Sequence, residues 1–277
     1  MMRSERLNVI AEMLAVEGSV SVEQLVEELT ISPATARRDL DALEEQGVAR
    51  RTRGGALRAT PVYDAAPKLR STEQAAEKNL IARHCLSYLY PGIVVGLSGG
   101  STVGTLAGAI ATWASEQQQV DAHPSQPMVT VVTNAVDIAY ALANAVNMKI
   151  VLIGGVLNGT SYELTGPFTQ AILNQLSIDV AFLGANGIDE NGPGTVDEFE
   201  ASTNRLMSTR ADKTIIVADH TKFGRRSFST LGGVETVDAI VTDSGVDKQW
   251  RDTVTRRGYT VISVDAEGHT AHTGERK

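Results

Sequence analysis

The chain is 277 residues long, with 42% apolar residues, 21% charged residues and a formal net charge of −8. That length and apolar share support two domains with buried cores, and the acidic balance excludes a protein that coats nucleic acid without selectivity. No apolar run approaches the roughly 18–20 residues of a membrane helix. The opening MMRSERLNVI lacks a secretory pattern, and the only cysteine, Cys85, leaves no intramolecular disulfide; the expected location is cytoplasmic. Charge is distributed unevenly. Residues 1–60 hold eight arginines against ten acids, and Arg50, Arg51, Arg53 and Arg58 fall within nine residues that contain no acid. Local basic clusters on an acidic molecule point to focused contact with phosphates.

In chain order, Leu7, Ile10 and Leu14 recur at helical spacing across 4–17, and Gly18 ends the pattern. Ser21-Val22-Glu23-Gln24 reads as a capping box that opens a helix over 22–29. Thr30-Ile31-Ser32 is a tight turn, Ser32 caps a third helix with Pro33 at its first position, and Gly47 supplies a stop after about Gln46. On that third helix Ala36, Leu40 and Leu43 share the core face. Ala34, Arg38 and Asp41 then point outward with Thr35 and Arg37 on the flanks, and Asp39, near the buried side, is expected to pair with a local arginine. Small residues let a helix sink into the major groove and arginines reach phosphates or guanine edges. Val48 to Leu57 reads as a hairpin turning at Gly54-Gly55 with arginines at its tip, a wing over the sugar-phosphate backbone. Helix-turn-helix periodicity is a weak signal alone; its combination with the caps, the paired arginines and the basic hairpin favours DNA contact through Ser32, Ala34, Thr35, Arg37, Arg38, Arg51 and Arg53.

Residues 1–58 are therefore read as a winged helix-turn-helix domain and 59–72, with two prolines, as a linker. A helix is expected over 73–89. Beyond it apolar runs at Ile93–Leu97, Val129–Thr133, Lys149–Ile153, Val180–Leu183, Thr214–Val217, Ala239–Thr242 and Val261–Val264 alternate with helical patterns near 103–119, 135–146, 167–176, 197–211 and 246–257. This predicts an α/β domain over 73–265, a mostly parallel sheet flanked by helices on both faces. Asp121–Pro127 is expected to be a surface loop, and 266–277 a polar, frayed tail. Ligands bind beyond the carboxyl ends of such strands. There Ser98-Gly99-Gly100-Ser101-Thr102 leads from strand to helix, a setting for anion binding that reads equally well as a plain turn. Asn134, Asp189 and Lys222 end other strands, and Glu200 lies on the helix over 197–211.

The N-terminal motifs Ser19-Val20-Ser21-Val22-Glu23-Gln24-Leu25, Ile31 to Leu40, Leu43 to Gly47 and Arg51-Thr52-Arg53-Gly54-Gly55-Ala56 resemble the DeoR family of bacterial sugar-metabolism regulators. The family usually has His where this chain has Arg53. The resemblance continues through Val132-Thr133-Asn134, Leu152 to Gly155, Phe182 to Ala185, Ala218 to Gly224 and Val241-Thr242-Asp243. It implies a repressor relieved by phosphorylated sugars, a second domain similar in fold to ribose-phosphate isomerase, and a sugar-phosphate site at Gly100, Ser101, Thr102 and Lys222. Many members have an acidic residue near the position of Ser98.

The expected partners are thus double-stranded operator DNA, a phosphorylated sugar held by Gly100, Ser101, Thr102, Asn134, Asp189, Glu200 and Lys222, and a second copy of the chain, since paired half-sites call for at least a dimer. No cofactor and no metal is expected: His84 and His220 lack ligand-spaced partners, and Cys85 reads as packed. Two alternatives stand beside this reading. Asp189, Glu198 and Glu200 are available carboxylates for aldose–ketose isomerisation, and a purely dimerising second domain would make the chain a DNA-binding adaptor.

Overall fold

The computed structural model describes residues 6–7, 9–10, 13–14, 19–45, 49–52, 54–58, 73–117 and 127–274. They fall in two compact units, Met1–Ala66 and Pro67–Lys277. Gly18, Gln46, Gly47, Arg53, the segment 59–72 and residues 121–126 of the expected surface loop lie outside the described residues.

In the N-terminal unit, residues 6–7, 9–10 and 13–14 are helical. Helix α1 (Val22–Leu29) is capped as expected, the Ser21 hydroxyl accepting from the Gln24 N–H at 3.0 Å. Thr30 ends it in the left-handed region, φ 54°. The Ser32 hydroxyl accepts from the Thr35 N–H at 3.2 Å and opens α2 (Pro33–Glu45). Ile10, Leu14, Leu25, Ala36, Leu40 and Leu43 close into one core, so the apolar face assigned to the third helix is the buried one. Behind the helices lies a three-stranded antiparallel sheet in the order β1 (Ser19–Ser21), β3 (Gly55–Arg58), β2 (Ala49–Arg51). Strand β1 has no counterpart in the sequence reading. It forces Gly55: a Cβ there would lie 2.0 Å from the Val20 carbonyl oxygen across the β1–β3 pair.

The C-terminal unit is built on one eight-stranded sheet. Its strands are β4 (Ile93–Leu97), β5 (Val129–Thr133), β6 (Met148–Leu152), β9 (Ile178–Gly184), β12 (Ala211–Val217), β14 (Ala239–Asp243), β15 (Val261–Val264) and β16 (Thr270–Thr273), in spatial order β16-β15-β14-β12-β9-β4-β5-β6. Every neighbouring pair is parallel except β15–β16. Strand side chains alternate between two cores. Val180, Phe182, Ile215, Val217 and Val241 face one, with α3 (Ala75–Cys85) and α4 (Ser101–Glu116). Ala181, Leu183, Ile216 and Ile240 face the other, with α7 (Glu198–Thr209) and α8 (Lys248–Arg256). Period-two alternation in strands apolar on both faces is what a parallel sheet buried between helices requires.

The remaining elements are α5 (Val136–Leu142), α6 (Pro167–Leu173) and two small sheets, β7 (Val156–Leu157) with β8 (Leu164–Thr165), and β10 (Gly187–Asp189) with β11 (Gly192–Thr195) and β13 (Ser229–Thr230). These sheets and β16 are absent from the sequence reading. The stretch after Asp265 was expected to be a frayed tail. Instead Thr270–Thr273 pairs with all of β15 as an antiparallel edge strand, because an edge strand exposed along most of its length needs backbone partners and not an apolar face. Cys85 is fully buried and burial pushes its thiol up, as its packed reading required. No helix among the described residues is long and apolar enough to cross a membrane.

Candidate functional site

The N-terminal unit presents α2 as an outward face. Ser32, Ala34, Arg37 and Arg38 are exposed and Thr35 is half-buried. The Ser32 and Thr35 hydroxyls lie 2.9 Å apart, so the start of the helix offers two linked hydroxyls beside the arginine pair. Asp39 is buried and pairs with Arg6, 2.5 Å from its Nε, and so with an arginine remote in sequence. Arg51 has a use that spacing did not reveal. Its Nε donates to Asp41 on α2 at 2.9 Å and its Nη1 to the Gly55 carbonyl, while its own N–H donates to Glu44 at 2.8 Å. These bonds brace the hairpin against α2. The turn closes with the Thr52 N–H on the Gly55 carbonyl.

In the C-terminal unit the strand order reverses between β4 and β9: from β4 the chain builds outward through β5 and β6, then returns to β4's other side. Such a switch point opens a crevice at the carboxyl ends of the strands. Ser98 sits in it, buried, its hydroxyl accepting from the Gly184 N–H at 2.9 Å and donating to the Gly99 carbonyl. Gly100 follows at φ +106°, with nothing within 4 Å of where a Cβ would lie, and opens the sixteen-residue α4. The first N–H groups of a helix have no partner within it and carry the positive end of its dipole. Ser101 and Thr102 provide those groups here. Lys222 lies in a 3-10 turn (His220–Lys222) after β12, where Asp219 accepts from the Thr221 N–H at 3.0 Å.

Two residues missed in the sequence complete the arrangement. Lys78, on α3, is buried, and its ammonium donates to the Glu73 carbonyl. Burial holds it below the ordinary lysine range, and Asp219 and Lys222 are among the charges that bear on it. Glu163 lies just before β8, where the β7–β8 hairpin folds over the end of β5: the Leu164 N–H donates to the Asn134 carbonyl at 2.8 Å and the Val136 N–H to Tyr162 at 2.9 Å. Its side chain packs so closely on the Ser98–Gly100 loop that a Cβ on Gly99 would lie 2.5 Å from Glu163 Cγ. Asn134, fully buried, donates to Glu163 Oε2 at 2.9 Å. Burial, with Glu200 adding to it, raises the Glu163 carboxyl to about 7. Glu200 is itself buried and accepts from Asn158 at 3.1 Å.

The structure therefore gathers Asn134 and Glu200, through Glu163, beside the Gly100–Thr102 loop, and Lys222 with Lys78. Asp189 is placed otherwise. It holds the β10–β11 turn, accepting from the Asn191 N–H at 2.7 Å, and its charge bears on Tyr259. Glu163 carried no periodic signal, since it belongs to a two-residue strand pair, and Lys78 reads in sequence as one more helical lysine. Asp265, Glu267 and His269 form an exposed cluster in the β15–β16 turn, where the Asp265 carboxylate accepts from the Glu267 and His269 N–H groups.

Family comparisons match both units. The DeoR-like helix-turn-helix domain matches residues 6–62 and the DeoR C terminal sensor domain residues 73–244. The chain is 32% identical to the HTH-type transcriptional regulator GlpR of Haloferax volcanii, over 95% of this chain and 98% of that one. It is 31% identical to the glycerol-3-phosphate regulon repressor of Escherichia coli strain K12, over 88% and 92%. Among solved structures it is similar to ribose 5-phosphate isomerase from Plasmodium falciparum, with a TM-score of 0.41, 11% identity, and 72% of this chain and 98% of that one covered. With an exposed, arginine-bearing second helix of a helix-turn-helix in one unit and a matched sensor domain in the other, the chain belongs to the DeoR family of DNA-binding transcriptional regulators.

Proposed function

We propose that this regulator represses sugar-metabolism genes, that a phosphorylated sugar releases it from operator DNA, and that it acts as a homodimer or larger homo-oligomer reading paired half-sites. The observation that carries the reading is the polarity of the crevice. An uncapped helix start at Gly100, Ser101 and Thr102 suits a phosphate, with Lys78 and Lys222 as the cations of the site, while Asn134, Glu163 and Glu200 offer acceptors to hydroxyl groups. The chain's similarity to a glycerol-3-phosphate regulon repressor supports it. On the DNA side, Arg38 faces the major groove, with Ser32, Ala34, Thr35 and Arg37 around it and Arg51 and Arg53 in the wing. Arg38→Ala is expected to weaken operator binding by about 1–3 kcal/mol, with little change on unrelated DNA, in a titration at fixed salt. Operator affinity equal to wild type would remove Arg38 from the interface.

One observation favours a second reading, an isomerase-like enzyme. A carboxyl held near 7 is suited to general-base work, and Glu163 has that property. The expected outcome is nevertheless no turnover: ribose 5-phosphate and hexose phosphates incubated with the protein remain unconverted. Sustained isomerisation, lost in Glu163→Gln, would establish the enzyme instead.

A further inference from the structure

Between Lys149 and Asp179 the chain runs for 29 residues with a single charged residue, Glu163, which is buried, where its 21% average would place about six. The stretch builds β7, β8 and α6 and leaves apolar side chains in water. Val156 and Leu157 on β7 are 59% and 49% exposed, and Phe168 on α6 is 67% exposed. They lie on adjoining elements. A Cβ on Gly166 would lie 4.0 Å from Val156 Cγ2, and one on Gly154 3.7 Å from Ile172 Cδ1, so β7 and the chain leading into it run against α6. Helix α6 buries Thr169 and Leu173 and exposes Gln170 and Ala171 with Phe168. Beyond it opens a groove of about 440 Å³ against α7, where Phe199, 52% exposed, stands with Pro167 and Gln170. Among the described residues the one charged side chain lining that groove is Arg205, and its guanidinium donates to the Thr230 and Leu231 carbonyls at 2.7 and 3.3 Å.

Val156, Leu157, Phe168 and Phe199 together hold on the order of 400 Å² of apolar surface in water, as much as the largest patch on many monomers. Each partner of a standard interface buries about 800 Å², so this area is enough for the apolar core of one, with Gln170, Asn174 and Gln175 at its rim. The charge pattern says which partner. With a net charge of −8, two copies of the chain repel over most of their surfaces. A face without exposed charge escapes that repulsion and is compatible with itself, as a two-fold contact requires. A strongly charged partner would call for the opposite charge on the stretch, and none is exposed there.

We propose that two copies of the chain meet on this face, α6 and β7 of one packing against the same elements of the other about a two-fold axis. The inference rests on the homo-oligomer reading above and locates its contact. The hairpin that brings Val156 and Leu157 to the face also carries Glu163 against the Ser98–Gly100 loop, so the contact adjoins the crevice.

The test is sedimentation equilibrium of the full-length protein, wild type beside Phe168→Glu and Ala171→Arg. Both substituted residues are exposed, so thermal melts should show each variant folded. Wild type is expected to self-associate at micromolar concentration, and each variant to do so at least about a hundredfold more weakly, because a two-fold contact meets every substitution twice. In wild type alone, amide hydrogen exchange across 156–173 should slow as the protein concentration rises from about 0.1 to about 50 μM, a readout that needs no variant. Oligomers that persist in both variants, with exchange across 156–173 independent of concentration, overturn the inference and leave the homo-oligomer reading standing. A wild type that stays monomeric at about 50 μM overturns both, and the face then has some other occupant.

Discussion

Glu163 carries its charge at a cost. Buried beside Glu200, its carboxyl sits at about 7 against an ordinary 4.5. Below about pH 4.5 it is protonated in folded and unfolded chains alike and contributes fully. As pH rises through that window the unfolded chain releases the proton first, so stability is lost progressively until the folded group also ionises near 7. The loss amounts to about 3 kcal/mol if no ligand compensates. Glu163→Gln is therefore expected to gain on wild type between pH 5 and pH 8 in thermal melts without ligand. A difference between the two proteins that stays constant with pH would place the group in water. Arg51 makes the corresponding point for the wing. Reading Arg50 to Arg58 as a basic stretch was sound as composition, but one of its arginines is committed to Asp41 and the Gly55 carbonyl, and only contacts distinguish a bracing arginine from one aimed at phosphate.

Among the elements, α1 and α2 were visible in sequence because each is periodic between caps, and the strands of the parallel sheet because each is a short run of apolar, β-branched residues. The additions were short or polar: β1 and β16, the β7–β8 hairpin and the β10–β11–β13 sheet have strands of two to four residues. Segments of that length show no recognisable period, and their partners, not their composition, make them strands. Edge strand β16 covers the exposed side of β15, whose residues Val261 to Val264 are all buried. Removing 266–277 is expected to leave a folded protein destabilised by a few kcal/mol, at about 1 kcal/mol per hydrogen bond lost, and more prone to associate through the bared edge. Urea unfolding and light scattering check this. Unchanged stability would mean that the strand contributes nothing to the sheet.

At the scale of the whole molecule, a ligand alters DNA affinity only through unequal affinity for the DNA-competent and DNA-incompetent arrangements. A coupling of about 1–3 kcal/mol is typical, and corresponds to roughly 5–150-fold release. Lys222 belongs to the sensor unit and the α2 arginines to the other, so the two functions separate by mutation. Lys222→Ala should bind operator like wild type yet respond weakly or not at all to the sugar phosphate. Operator affinity measured with and without effector in that variant decides the matter. A full response would take Lys222 out of the site, and a loss of DNA binding itself would show that the residue is needed for more than sensing.

The sequence by itself determined the two-unit plan, the helix-turn-helix with its exposed Arg37 and Arg38, the parallel sheet and the Gly100–Thr102 helix start. All of these rest on local periods, caps and loop chemistry that neighbouring residues encode. It also put Lys222, Asn134 and Glu200 among the candidates. Only tertiary structure decided which candidates meet. Asp189 ends a short strand and looked equivalent to the others, but its carboxylate is held by Asn191 in a turn. Glu163 and Lys78 looked ordinary, yet both are buried, Glu163 against the crevice loop and Lys78 where the charges of Asp219 and Lys222 bear on it. The reason is physical. Burial and charge proximity depend on elements 29 to 86 residues apart in the chain, such as Asn134 with Glu163 and Ser98 with Gly184, and no local pattern records which of them the fold will stack together.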